Sequence, residues 1–566
     1  MENREDLKSM QGLLPVVERG GSLFWPSRAV EALKFLSLGP HQSKVSSGEA
    51  LFAAISDIRT SLSLHRPLPP SVSEGYALYF DELISRAEAA SCFGEVVPEL
   101  AGLLLRLPSL LETHYRNADT LLPGVETGLR FLGSQEPGIV FLSQELIAAL
   151  LACAFFCLFP ENERGAKYLP LINFDHLFES LYENYTEAQE HKIKCITHYF
   201  ERISSCMPTG YVSFERKVLP LEKQLLNVSY PNAEFWSKSG IPLCPFEVHG
   251  SGFIEDQSKG ALEVDFANKF LGGGALNRGC VQEEIRFMIN PELIVGMLFL
   301  PCMEDNVAIE IVGAERFSDY TGYASSFRFS GDHVDKMKVD SFRRRKTRII
   351  AIDALCSPGM RQYKLNYLRR ETNKAFCGFY DQSKCNLYER LFHNQGTELE
   401  GSKFKHDYNA SNTVFKSNHL LDESCSTSVE IEMREEECID QLVGVPEEQA
   451  SSINDEDKIG IATGNWGCGA FGGDPEVKSI IQWLAASQAL RPFILYFTFG
   501  IESLQNLERV SHWILSHGWT VGELWNMLVE YSNQRYNKET NLGFFKWLLP
   551  SLNAYELNMS GVPDVP

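Results

Sequence analysis

Along the first 235 residues apolar side chains recur at three- and four-residue spacing, as at Ile196, Tyr199, Phe200 and Ile203 or across Leu100 to Leu111. That is the period of a helix with one buried face. Proline and glycine near Pro67 to Pro70, Pro98, Pro108 and Pro160 divide the stretch into helices of ordinary length, because proline lacks the amide that continues an interior turn. Beyond Pro242 the period shortens. Apolar or alternating runs at Phe246–Ile254, Met297–Pro301, Ala308–Gly313, Arg348–Ile352 and Phe493–Phe499 predict strands, with helical stretches at Val281–Ile289 and Val477–Ala486 between them. The pattern predicts an all-α accessory domain over residues 1–235, then an α/β domain over 236–566 with helices packed on a sheet.

One segment does not fit a packed domain. Residues 381–458 are polar and increasingly acidic, and Leu421–Lys458 alone holds 13 Asp or Glu against 2 Lys or Arg, a net of -11 out of -22 for the whole chain. Such a stretch cannot bury enough apolar surface to offset its ordering entropy, so it predicts a disordered insert projecting from the second domain. Half of the acidity therefore belongs to the insert.

The 44% hydrophobic content suits an ordinary globular core, and the net charge argues against a broad basic surface for DNA or RNA. A start of MENREDLKSM, with no apolar core, predicts no secretory leader. The uncharged run Leu146–Pro160 falls short of the roughly 20 residues of a membrane span and reads as a buried helix. The 14 cysteines include no CxxC pair, which fits reduced thiols in nucleus or cytoplasm and no zinc site. Arg343–Lys346 reads either as a solvated strand entrance or as a nuclear-import patch.

Two stretches carry candidate chemistry. In LEVDFANKFLGGGALNRGCVQEEIRFMI, Leu262–Ile289, a strand-like end is followed by Gly272, Gly273 and Gly274 and then by Gln282, Glu283 and Glu284 at the opening of a helix. Three bare glycines let backbone amides approach a ligand closely. At about 100° per residue, Val281, Ile285 and Met288 form an apolar stripe; Glu284 lies near its edge and Glu283 points well away. Glu284 is thus the better candidate for a raised pKa and a proton to donate, although the helix N-terminus opposes that rise. A solvent-facing acidic first turn, favoured by the helix dipole, is the plain alternative.

The second stretch, IGIATGNWGCGAFGGDPEVKSIIQWL at Ile459–Leu484, is a strand, a glycine-dense turn and a helix opened by Asp474 and Pro475. Its glycines would expose successive amides near a helix start, a way to hold diphosphate without Lys or Arg. No Gly-Lys-Ser/Thr follows, so it is not a Walker loop. Tyr320, Tyr323, Phe471 and Phe499 could stack on adenine or cover ribose.

At these residues the sequence resembles the poly(ADP-ribose) glycohydrolase family. The GGG, seven residues, then QEE arrangement at Gly272–Glu284 is similar to the family's catalytic signature. VDFAN at Val264–Asn268, IED at Ile254–Asp256, YTGYASSF at Tyr320–Phe327, AIDAL at Ala351–Leu355, GNWGCGAFGGD at Gly464–Asp474 and YFTFG at Tyr496–Gly500 match as well. The resemblance covers most of residues 240–510. It implies a macrodomain-like mixed sheet between helices and hydrolysis of ribose–ribose bonds in poly(ADP-ribose), free or attached to modified proteins. It implies Glu284 as general acid and then base, with Glu283 and Asp265 completing the acidic site and Asn268 contacting ribose. Ile254, Glu255, Gln282 and Tyr323 fall where the family binds the adenine end. Asn465, Trp466, Gly467, Cys468, Gly469 and Ala470 fall where it cradles diphosphate, with Phe471 and Phe499 nearby. No metal or cofactor is implied, and the expectation is a monomer with neither nucleic acid nor membrane as partner. A noncatalytic ADP-ribose reader and a hydrolase of single ADP-ribose groups on proteins stand as alternatives.

Overall fold

The computed structural model describes residues 4–64, 66–221, 230–381 and 459–550; the expected insert at 381–458 lies, apart from Asp381, outside the described residues. An eight-stranded mixed sheet is the frame. Its strands are β1 (Gly138–Ser143), β2 (Tyr211–Val218), β3 (Phe246–His249), β4 (Leu262–Asp265), β5 (Val307–Val312), β6 (Arg348–Ala351), β7 (Ile461–Gly464) and β8 (Ile494–Phe497). Their order is β1-β2-β5-β6-β4-β7-β8-β3. From β1 to β6 neighbours are antiparallel; from β6 through β4, β7 and β8 to β3 they are parallel. Val264, Ala462, Thr463, Leu495 and Tyr496 are all buried, as strands covered on both faces require.

Most of residues 4–221 is helical, as the apolar period predicts, and the run read as a buried helix is one: in α2 (Gln144–Phe155) every position from Leu146 onward is buried. Two corrections concern this half. First, α1 (Val97–Leu121) continues through Pro108 rather than ending there. Leu104, Leu107, Leu111 and Tyr115 pin its face on both sides of the proline, and that burial outweighs one missing hydrogen bond. Second, the N-terminal segment is not all helix. β1 and β2 form the antiparallel end of the sheet, with Val212 and Phe214 turned into the core. Their short runs GIVFLS and YVSFERKV sit between long helices whose period dominates the local pattern.

The expected strand at Met297–Pro301 is absent as well. Pro291–Leu298 is a 3-10 helix, and every residue of Pro291–Pro301 is buried; a wholly apolar run has no period to separate strand from helix. One hydrophobic cluster runs from Leu7 through α1, α2 and α3 (Glu187–Ser205) to Ile309, Ile349 and Ala351 in the sheet. Helices and sheet therefore share a core. The basic run is tied into the fold: Arg344 pairs with Asp340 and Arg345 with Glu315, each at 2.8 Å. Among the described residues no helix is long and apolar enough to cross a membrane.

The parallel strands all deliver their C-terminal ends to one edge, where open α/β sheets bind ligands. Phe214→Ala tests the shared core, since the fully buried ring packs edge-on against Phe299 at 5.5 Å. We expect a loss of about 3–5 kcal/mol in urea unfolding, with the helical and sheet signals still moving in a single transition.

Candidate active site

Three carboxyl groups meet where β4 ends and α4 (Gln282–Ile289) begins. Asp265, Glu283 and Glu284 are 1%, 3% and 7% exposed, which excludes a solvent-facing acidic first turn. Gln282 locks the two elements together: its side-chain carbonyl accepts the Phe266 amide at 2.8 Å, and its NH2 donates to the Val264 carbonyl at 3.2 Å. The next two residues turn back onto the glycine loop. Glu283 accepts the amides of Asn268 and Gly272 at 2.8 and 2.7 Å, and Glu284 those of Gly274 and Val281, both at 2.9 Å.

The glycines are there for space. Gly273, at φ 49°, sits between the two acids, so a Cβ on it would lie 2.6 Å from Glu283 Oε2 and 2.7 Å from Glu284 Oε1. At Gly279 a Cβ would lie 2.7 Å from Glu284 Cδ.

Burying carboxyls together favours their neutral forms. Burial pushes Asp265 well above the usual carboxylate range, the neighbouring Glu284 adds to the rise, and Arg286 opposes it. Neither Asp265 oxygen has a hydrogen-bond partner among the described residues. Glu283 is also raised, first by burial and then by Asp265 and Glu284, against the pull of the Asn268 and Gly272 amides. The helical wheel turns Glu283 away from the apolar stripe, yet the loop folds over that side and buries it.

Beside these acids lies a cleft of about 460 Å³, the size of a small-ligand site. Ile254, Glu255, Gln282 and Tyr323 line it together with Asn465, Gly467, Cys468, Gly469, Ala470, Phe471 and Phe499. Tyr323 and Phe499 are 51% and 43% exposed, two open aromatic faces at the mouth. Glu255 accepts the Tyr320 hydroxyl at 2.5 Å. Among the described residues the only cation on the lining is Arg286, held by Glu263 at 2.6 Å.

An anion must therefore be met by backbone. Among the described residues the amides of Gly467, Gly469, Ala470 and Phe471 have no acceptor in the chain, while α5 (Pro475–Gln488) starts just beyond with Asp474 as its cap. Asn465 pins the turn, donating to the Thr498 carbonyl at 2.9 Å and accepting from Tyr496 at 3.2 Å.

Some expected contacts lie elsewhere. Trp466 is fully buried beneath the turn, with its indole N–H on the Ile352 carbonyl at 2.8 Å and the Lys478 ammonium 3.9 Å from its ring. Its side chain supports the turn and is not on the lining. Asn268, Gly272, Gly273 and Gly274 hold the acids and do not line the cleft. Phe253, Phe266, Ile285 and Arg286 do line it. Ile285 was legible only as core, and Arg286 carries no local signal because its partner stands 23 positions earlier.

A mixed sheet whose parallel strands end at an amide-lined cleft, with paired acids beside it, defines a macrodomain-type α/β protein equipped for acid chemistry. Residues 233–506 match the family model described as Poly (ADP-ribose) glycohydrolase (PARG), Macro domain fold, and residues 84–216 match Poly (ADP-ribose) glycohydrolase (PARG), helical domain. The chain is 58% identical over 553 residues to Poly(ADP-ribose) glycohydrolase 1 of Arabidopsis thaliana, covering 98% of both chains. It is 54% identical over 555 residues to Probable poly(ADP-ribose) glycohydrolase 2 of the same plant, covering 98% of this chain and 100% of the relative. Poly(ADP-ribose) glycohydrolase 1 of Caenorhabditis elegans is 29% identical over 428 residues, 73% of this chain and 42% of the relative. The chain belongs to the poly(ADP-ribose) glycohydrolase family.

Gly273→Ala probes the loop directly. The left-handed backbone and the lack of space between the two acids should together cost about 1–3 kcal/mol, read as a lower midpoint in urea.

Proposed function

We infer that the chain hydrolyses the 1''–2' ribose–ribose bonds of poly(ADP-ribose) and releases ADP-ribose, with Glu284 as general acid and then general base. The observation that carries the reading is the pair Glu283–Glu284, buried and amide-held beside a cleft that offers free backbone amides. Diphosphate on the amides of Gly467, Gly469, Ala470 and Phe471, with adenine against Ile254, Glu255 and Tyr323, directs the distal ribose of one ADP-ribose unit toward the acids.

Each oxygen of Glu284 accepts one amide, and a carboxyl oxygen has a second lone pair for a proton. As the C1''–O bond breaks, its electron pair goes to the departing ribose oxygen, which takes the proton from Glu284. Positive charge then develops at C1'' beside the acidic cluster. Water attacks C1'' and returns a proton to Glu284, so one water is consumed and the site is restored. General acid help of this kind contributes about 10²- to 10⁴-fold. Asp265 and Glu283 orient the ribose, and Asn268 acts through its amide on Glu283. Because the two glutamates are neighbours on one turn, the site differs from the opposed carboxylate pair of common glycosidases.

A noncatalytic reader needs the amide turn but no set of three buried acids, and burying them is costly. A hydrolase of single ADP-ribose groups would act on an amino-acid leaving group; here the expected leaving group is a ribose oxygen. Release should therefore be faster from polymer than from mono-modified protein.

Glu284→Gln should keep its fold and polymer binding while ADP-ribose release falls by at least about 100-fold; normal release by this variant would remove the mechanism. The pH profile carries a second expectation. Burial holds a proton on the Asp265–Glu283 pair above the range where free carboxyls ionise. Its loss as pH rises crowds like charges into the buried corner and pushes the amide-held glutamates out of register, so kcat should decline on the alkaline side, and the decline should flatten in Asp265→Asn.

A further inference from the structure

Helix α3 passes behind the glycine loop and sends one cation into it. Lys192 is 0% exposed. Its Nζ donates to the carbonyl oxygens of Asn277 at 2.5 Å and Gly279 at 2.6 Å, and reaches that of Gly274 at 3.4 Å. An ammonium has three N–H donors and no acceptor, so these three carbonyls saturate it. All three acceptors are backbone groups, an uncommon setting for a buried charge, which is usually paired.

The turn that Lys192 grips is the one that holds Glu284. The amides of Asn277 and Gly279 close back onto the Gly274 carbonyl at 2.9 and 3.0 Å, so the ammonium ties both ends of the turn. From the same turn the Gly274 amide holds Glu284 Oε1 at 2.9 Å, and bare Gly279 packs against the Glu284 carboxyl. The titratable groups that act on Lys192 are the Cys280 thiol and Glu284 itself.

We propose that Lys192 is a positioning residue for hydrolysis: a cation from the helical N-terminal segment that clamps the Gly274–Gly279 turn and through it fixes Glu284, without touching substrate. The proposal rests on the reading of Glu284 as the acid. It gives the helical segment a direct part in the chemistry beyond its share of the core. Burial lowers Lys192 to about 8. A neutral amine has two N–H groups and a lone pair, so one carbonyl loses its donor and the turn loosens as pH rises through that value.

The test is kcat and KM on poly(ADP-ribose), with the Kd for ADP-ribose, for wild type and Lys192→Met from pH 6.5 to 9.5. Expected at pH 7 is a fall in kcat of about 100-fold, the usual result of roughly 1 Å of misplacement, with KM and Kd within about threefold of wild type. The acids Asp265 and Glu283 contribute the same alkaline decline to both proteins, so the difference between their profiles should show a step near pH 8. A kcat within threefold of wild type, profiles that superimpose after scaling, or binding lost in proportion to kcat would overturn the proposal. Should the variant fail to fold, Asp265→Asn, in which the decline due to the acids is flattened, still decides by the fall that remains. Between about 8 and the ordinary lysine value the unfolded chain binds more protons than the folded one, so Lys192 makes stability rise with pH there. Activity should then fall above pH 8 while the melting temperature holds; a melting temperature falling in step with kcat contradicts the clamp. Glu284→Gln in the same assay separates the two ideas. If it stays active, the reading of the acid fails; if it is dead and Lys192→Met is normal, the clamp alone fails.

Discussion

Everything at this site depends on backbone amides taking the place of counter-ions. Carboxyl groups at Asp265, Glu283 and Glu284 crowd into one buried corner, and Arg286 opposes their repulsion at Asp265. Four amide donors from Asn268, Gly272, Gly274 and Val281 hold the two glutamates instead. Amides can converge in this way only where no side chains intervene, which explains the three consecutive glycines and Gly279. The cleft wall is built from backbone as well: among the described residues the amides of Gly467, Gly469, Ala470 and Phe471 have no acceptor. Neither cluster calls for a basic face, in a protein of net charge -22.

The sheet makes both amide clusters possible at one place. β4 and β7 are adjacent and parallel, so the glycine loop after β4 and the turn after β7 leave the same edge side by side. Gln282 fixes the first of them and Asn465 the second, each by side-chain bonds to neighbouring backbone. Behind the first loop stands α3, and the common core running from Leu7 to Ala351 holds that helix against the sheet. The N-terminal segment is accordingly part of the frame that holds the glycine loop, joined to it by β1, β2 and the buried face of α3.

Much of this was legible in the residues. The strand–glycine–acid succession at Val264–Glu284 and the strand–turn–helix at Ile461–Gln488 are local patterns, and the structure keeps them. What escaped was decided by long-range packing. Pro108 reads as a break until Leu104 and Leu111 are seen fixed on either side of it. GIVFLS and YVSFERKV are short runs whose partners lie far away, and Met297–Pro301 has no polar position to reveal its period. Trp466 sits inside the matching motif, yet its ring faces Ile352 and Lys478. Glu283 is exposed on an isolated helix and buried only once Asn268 and Gly272 fold over it. Lys192 lies outside the matching blocks, and only the folded chain brings it to Gly279.

The most direct measurement is a crystal structure with ADP-ribose bound. The account predicts the diphosphate oxygens on the amides of Gly467, Gly469, Ala470 and Phe471, with C1'' of the distal ribose facing Glu284. A diphosphate held by lysine or arginine side chains away from that turn, or a distal ribose pointing away from Glu283 and Glu284, would contradict it.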